Sequence, residues 1–283
     1  MIKDFEKLEI LLESKEFSEK VSKVGKLDVP FTERMRDSLG EAHQILKYLP
    51  IETLTGQRVL EVGAGLGIVS AYLEKKGVLI EAVEPAIDTF DDHQKLLPLV
   101  RQTLKAAFPV HACSVEDLPV GKNGPYDLIF SHNVLEHMRD PERSFLAMRQ
   151  LLAPQGRMIH SCANYFFPYE PHLGIWIVPL FPSLTRIFSS KVKRNLTIWK
   201  TLNFITAKKI KRIARKIDCS VRFEKGLMRE ALQRLDTDPV FSSRQSGWPS
   251  RVYRWLKVSS LLEYVRFIPA SFATPMVFYI EPN

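Results

Sequence analysis

The stretch VLEVGAGLG, residues 59–67, is a short apolar run that leads the chain into three glycines at alternate positions. Val59, Leu60 and Val62 read as a buried strand, and GIVSAYLEKKG after it carries the apolar spacing of a helix. Glycine is needed in such a turn because the backbone leaves the usual φ/ψ regions and because ligand atoms must approach it without a Cβ in the way. The helix that follows turns its unpaired N–H groups toward the same place. VLIEAVE then reads as a second strand ending in Glu84, about twenty residues on, where a carboxylate can accept hydrogen bonds from two ribose hydroxyls. The spacing is G-x-G-x-G, with Ile68 where a dinucleotide fingerprint has its third glycine. Glu61, inside the motif, is a carboxylate that suits a ligand bearing an ammonium or sulfonium and repels a pyrophosphate.

Working outward, the alternation continues. PAIDTFDDHQKLLPLVRQTLKAAF is expected to be helical with a break near Pro98. VHACS and YDLIFSHN read as the third and fourth strands. Pro141–Leu152 reads as a helix, PQG as a turn, and RMIHSCAN as the fifth strand. Strands alternating with helices predict right-handed crossovers and a mostly parallel sheet covered on both faces. Residues 1–50 read as a helical N-terminal extension divided at Pro30, and residues 51–283 as one α/β domain. Two segments depart from the alternation: 165–204, rich in proline and aromatic residues, and 228–273. Both read as insertions that bind the acceptor. A helix from about Thr206 to Lys216 and the strands CSVRFEKG and PMVFYIE complete the pattern.

This run of motifs resembles the class I S-adenosylmethionine-dependent methyltransferases, particularly the broad group acting on small molecules, lipids and glycans. The resemblance covers residues 57–162 motif by motif. It implies a Rossmann-like seven-stranded sheet ending in an antiparallel pair, with S-adenosylmethionine as methyl donor and S-adenosylhomocysteine as product. It also implies a cofactor site made by Glu61, Gly63, Ala64, Gly65, Glu84 and Pro85. SVEDLP would bring Val115 and Glu116 to the adenine, and the end of strand four would place Ser131, His132 and Asn133 beside the methionine moiety. The amino-directed nucleic-acid enzymes carry N/D-P-P-[YF] after strand four, where this chain reads SHNV.

Methyl transfer from a sulfonium is an in-line displacement that chiefly requires alignment, and a hydroxyl acceptor additionally needs a base. His172, in NYFFPYEPHLG just past strand five, is the candidate base, with Tyr165, Tyr169 and Glu170 beside it as acceptor-binding residues. His137 falls four residues after Asn133 and is expected to share a helix face with it. Packing or capping explains either histidine equally well. No metal-ligand spacing is visible, and the three cysteines are far apart. PYEPHLGIWIVPLFP is similar to a segment in methyltransferases of surface-polysaccharide or glycolipid biosynthesis, so O-methylation of a glycan, glycolipid or related small molecule is expected. The alternatives are an RNA-directed methyltransferase and a non-catalytic S-adenosylmethionine-binding partner protein.

The net charge of +8 is local. Eleven Lys/Arg and no acid lie between Arg186 and Ile217; without them, the chain's 40 basic residues fall below its 32 acidic ones. A solvated helix face, an anionic membrane surface and a nucleic acid are three readings of this segment. The opening MIKDFEKLEI lacks the apolar core of a secretory leader. The expected location is therefore cytoplasmic, with docking at the inner membrane surface under the second reading. Oligomeric state is not readable.

Overall fold

The structure is a computed structural model that describes residues 3–85, 91–171, 173–178, 181–238, 242 and 248–283. The chain forms two compact units: Met1–His132 with Arg143–Ile159, and Asn133–Glu142 with His160–Glu281.

The first unit opens with three helices, α1 (Lys3–Leu12), α2 (Lys15–Val21) and α3 (Phe31–Leu46). Each is amphipathic, and Phe5, Leu8, Leu12, Phe17, Met35, Leu39 and Ile45 are buried. Burying an aliphatic or phenyl side chain contributes roughly 1.5–3 kcal/mol, which is why these short helices hold. Phe5 meets the Tyr72 ring edge-on at 5.3 Å. β1 (Arg58–Val62), α4 (Ile68–Lys75), β2 (Leu79–Val83), α5 (Asp91–Leu104), β3 (Val110–His111) and β4 (Tyr126–His132) follow in alternation. β1 pairs in parallel with both β2 and β4, and β2 with β3. The near-continuous burial of β1 and of Leu128, Ile129 and Phe130 is the mark of central parallel strands. The buried carboxylate of Asp92 accepts hydrogen bonds from the backbone N–H groups of Asp28 and Val29, which fixes the loop before α3 to the start of α5.

Pro98 does not break α5, contrary to expectation. Proline deprives the carbonyl four residues earlier of its partner. Here both Pro98 and Gln94 lie on the exposed face, so the unpartnered carbonyl falls on the solvent side while Leu96, Leu97, Val100 and Leu104 hold the helix from inside. A second correction concerns PQG. α6 (Pro141–Leu151) passes directly into β5 (Leu152–Cys162), and the triplet lies within the strand, anchored by buried Leu152.

The second unit carries β6 (Tyr169–Glu170) and β7 (Ile175–Trp176), which form a small antiparallel hairpin. After it come α7 (Thr185–Phe188), α8 (Ser190–Arg194), α9 (Leu196–Thr201), α10 (Ala207–Lys216), β8 (Cys219–Phe223), α11 (Leu227–Thr237), α12 (Trp248–Val258) and β9 (Met276–Pro282). Thr206 caps α10, its side chain accepting from the Lys209 N–H, and Ala207, Ile210, Ile213 and Ala214 form the buried face. β8 and β9 run antiparallel: Glu224 bonds to Val277, Ser220 to Glu281, and Asn283 to Asp218, so that one index falls as the other rises. The main sheet has the order β3-β2-β1-β4-β5-β9-β8. This is the expected Rossmann-like, seven-stranded, mostly parallel arrangement.

Candidate functional site

At the end of β1 the chain is pinned to the end of β2. The Gly63 and Ala64 N–H groups both donate to the Val83 carbonyl, at 2.7 and 3.2 Å. Gly65 (φ +54°) then turns its N–H onto the Glu84 carboxylate, 2.7 Å from Oε2. Gly67 (φ +71°) caps α4, and a Cβ there would meet Leu97 Cδ1 at 2.5 Å and Phe108 Cζ at 3.0 Å. The glycines thus have different tasks. Gly67 admits core side chains, whereas a Cβ on Gly65 would meet only the His93 ring, at 3.7 Å, an ordinary contact.

Two acids frame this loop. Glu84 is largely buried, and its second oxygen lies 3.2 Å from His93 Nδ1. Glu61 is 5% exposed, and Ser70 Oγ donates to its Oε2 at 2.5 Å. Burial pushes the Glu61 carboxyl up to about 8; the Ser70 hydrogen bond opposes this, and the nearby charge of Glu84 adds to it. A buried carboxyl poised in this way, beside a second acid and the half-buried backbone of Gly63 and Gly65, is suited to a cationic ligand, whose charge would favour the ionised form. The donor and acceptor set therefore fits S-adenosylmethionine, with its ribose diol, sulfonium and ammonium. His93 and Ser70 were not singled out from sequence, since nothing in DDHQ or GIVSAY marks them until α4 and α5 come together on the loop.

The remaining cofactor candidates fall nearby in the chain. The Glu84 N–H donates to the His111 carbonyl, so β3 ends beside Glu84. Val115, in the turn after β3, is buried, and Glu116 accepts a hydrogen bond from the Ser144 hydroxyl. Pro85 and His132 are half-buried, and Ser131 is fully buried in β4.

In the second unit, Asn133 has φ +53° and donates its N–H to the Ser161 carbonyl at 2.8 Å. It is therefore not on a helix with His137, contrary to expectation; only the single turn Leu135–His137 is helical. The left-handed backbone at Asn133 stops a helix from starting there. His137 Nδ1 lies 2.7 Å from Thr201 Oγ1, whose own proton goes to the Ile198 carbonyl.

Among the acceptor-binding candidates, His172 lies outside the described residues. Tyr169 is buried and Glu170 fully so, both within the hairpin. The Tyr165 hydroxyl is buried with no hydrogen-bond partner among the described residues, and its ring meets Phe204 edge-on at 5.2 Å. Burial pushes the Tyr165 phenol well above its usual value, with the charges of Glu170, Glu136 and Cys162 adding to the shift. Tyr169 is raised to about 12 by burial and by Glu170. Glu136, fully buried and not anticipated from the sequence, therefore lies close enough to Tyr165 to act on it. Around them Asn203 donates to the Leu135 and Met138 carbonyls, and Asn164 donates to those of Ser271 and Ala273. No group of three or more His, Cys, Asp or Glu that could hold a metal ion occurs among the described residues. Among the same residues no helix is long and apolar enough to cross a membrane.

Comparison with known proteins bears on both units. The methyltransferase-domain family matches residues 31–222. An uncharacterized protein of Mycobacterium tuberculosis strain H37Rv is 32% identical over 243 residues, which cover 81% of this chain and 79% of that protein. Ubiquinone biosynthesis O-methyltransferase of Xanthomonas oryzae pv. oryzae is 31% identical over 111 residues, covering 39% of this chain and 45% of the relative. Among solved structures, Haemonchus contortus phosphoethanolamine N-methyltransferase 2, bound to phosphomonomethylethanolamine and S-adenosylhomocysteine, shares the fold with a TM-score of 0.53 at 17% identity. That alignment covers 89% of this chain and 58% of the other. With the family match spanning most of the chain, and the glycine loop and sheet order arranged as that family requires, the chain belongs to the class I S-adenosylmethionine-dependent methyltransferases.

Proposed function

We propose that this methyltransferase transfers its methyl group to a hydroxyl oxygen of a glycan, glycolipid or related small molecule. The observation that carries the reading is the pair of buried acids, Glu136 and Glu170, in the segments that follow β4 and β5, near enough to Tyr165 for their charges to act on its phenol. A hydroxyl acceptor must lose a proton as it is methylated, and a buried carboxylate is a base of the right kind; an amine acceptor needs only desolvation. The partial match to an O-methyltransferase of ubiquinone biosynthesis points the same way.

In this reading Glu61, Gly63, Ala64, Gly65 and Glu84 hold the donor, with Val115, Glu116, Ser131, His132 and Asn133 along its length. S-adenosylmethionine supplies an already activated methyl group. The chain's own residues orient the donor, exclude water, and accept the acceptor's proton at Glu170 or at His172. Tyr165, held protonated by its surroundings, donates a hydrogen bond to the acceptor.

The test is label transfer. The protein is incubated with methyl-labelled S-adenosylmethionine and a lysate of its source, and the products are separated into glycan and lipid, nucleic-acid, protein and small-molecule fractions. Label in the glycan and lipid or small-molecule fraction, stable to acid as an ether and lost in Glu170→Gln or His172→Ala, supports the proposal. Label in RNA or on amines refutes it.

A further inference from the structure

We infer that residues 181–200 form a docking surface for an anionic lipid bilayer. In this stretch only Thr185, Val192 and Trp199 are buried, at seven-residue steps, and each is tied inward. Thr185 Oγ1 accepts from the Val178 N–H at 2.9 Å, while Val192 and Trp199 pack with Ile177 and Leu202 in a small core. What the segment leaves outside is unusual in composition. Phe181, Leu184, Ile187 and Phe188 are exposed, with Phe188 at 79% and Ile187 at 59%, four large apolar side chains within eight positions.

Arg186, Lys191, Lys193, Arg194 and Lys200 are exposed in the same stretch. Among the described residues none of the five is in an ion pair, and the sequence holds no acid from Pro171 to Ile217. The basic helix α10 differs. Its apolar face is buried, and Arg212 and Lys216 both pair with Glu142, so it is a structural helix with a solvated face.

Charge and apolarity together select the partner. Aliphatic side chains such as Leu184 and Ile187 have no π face to stack on a base, so a nucleic acid would use the cations and leave these residues in water. A second copy of this surface would bring like charges against each other. A bilayer carrying acidic headgroups takes both: the apolar side chains enter the headgroup and acyl boundary while lysine and arginine remain among the phosphates. The inference stands whatever hydroxyl the enzyme methylates, and its test uses neither acceptor nor cofactor, so the two readings fail separately.

The experiment is flotation of the 283-residue chain with vesicles of phosphatidylglycerol and phosphatidylcholine, and with phosphatidylcholine alone. The substitutions are I187S/F188S and K191Q/K193Q/R194Q, all at exposed positions, with thermal melting and circular dichroism as controls for folding. Binding to the anionic vesicles is expected, weakened at least tenfold by either set and by high salt, with little binding to the neutral ones. The inference is overturned by no flotation, by equal binding to neutral vesicles, or by binding that both variants retain. It is also overturned if the variants instead lose affinity for a single-stranded RNA oligomer, or convert a dimer to a monomer without changing flotation.

Discussion

Glu61 gives the sharpest test of the cofactor loop, because its environment sets both sign and size. The carboxyl rises from 4.5 to about 8 on folding. A group whose folded value is raised contributes stability that is fully present below the unfolded value and is lost as pH rises through the folded one. The window is therefore about pH 4.5 to 8, and the loss across it is about 3–5 kcal/mol. Glu61→Gln keeps an oxygen for the Ser70 hydroxyl but cannot ionise. Without cofactor, the variant's stability advantage should widen by about 3 kcal/mol between pH 5 and pH 8. Urea unfolding of both proteins at the two pH values, with equal dependence on denaturant, measures it. Parallel stability profiles would refute the argument, since they would mean that Glu61 ionises in the folded protein as easily as in the unfolded one.

Other predictions follow from the same loop. If Glu61 faces the donor's positive charge, affinity for S-adenosylmethionine should rise about tenfold per pH unit between pH 6 and 7.5, as the ligand recruits the ionised form. Calorimetry on Glu61→Gln should show no such slope, and a flat wild-type profile would assign the cation's partner elsewhere. Glu84→Ala should weaken cofactor binding by about 1–3 kcal/mol, the scale for a hydrogen bond to a charged group, and unchanged affinity would mean the ribose is held by other residues. Gly67→Ala should lower stability by about 3 kcal/mol, through overpacking against Leu97 and Phe108 added to a left-handed backbone. Gly65→Ala should cost about 1 kcal/mol of stability and impair binding more, and equal thermal shifts for the two variants would count against the division of labour between these glycines.

The glycine loop, its acid and the alternating strands were legible because each is a local pattern in the chain. Gly63, Gly65 and Glu84 follow one another within a single strand–helix–strand unit, and the pattern needs no partner to be read. α10 was legible for the same reason, since TAKKIKRIARKI declares its faces by period alone. Pro98 misled because propensity is local, whereas its tolerance depends on which face of α5 meets water. Glu136 was hidden more deeply. Tyr165 and Glu170 stand together in NYFFPYEP, but Glu136 stands in LEH, 34 positions before Glu170, and only the fold brings it near Tyr165. His93 likewise acquires meaning only when α5 crosses the glycine loop. Asn133 and His137 have the spacing of helical neighbours, but a left-handed residue intervenes, and no periodicity announces that.

The sheet order has a consequence for how the protein is made. β9 lies between β5 and β8, yet it is encoded more than fifty residues after β8. When β8 leaves the ribosome, the strand it will pair with does not yet exist, and the flank of β5 that will take β9 stands open. Late translation thus leaves two strand edges waiting for one ribbon, which is the arrangement in which nascent chains pair wrongly with each other. Between the two strands the ribosome delivers α11 and α12, eleven-residue helices too short to persist without packing, so the interval supplies no partner for either edge. Slow codons or a chaperone acting between positions 224 and 275 would have their largest effect on this protein's yield.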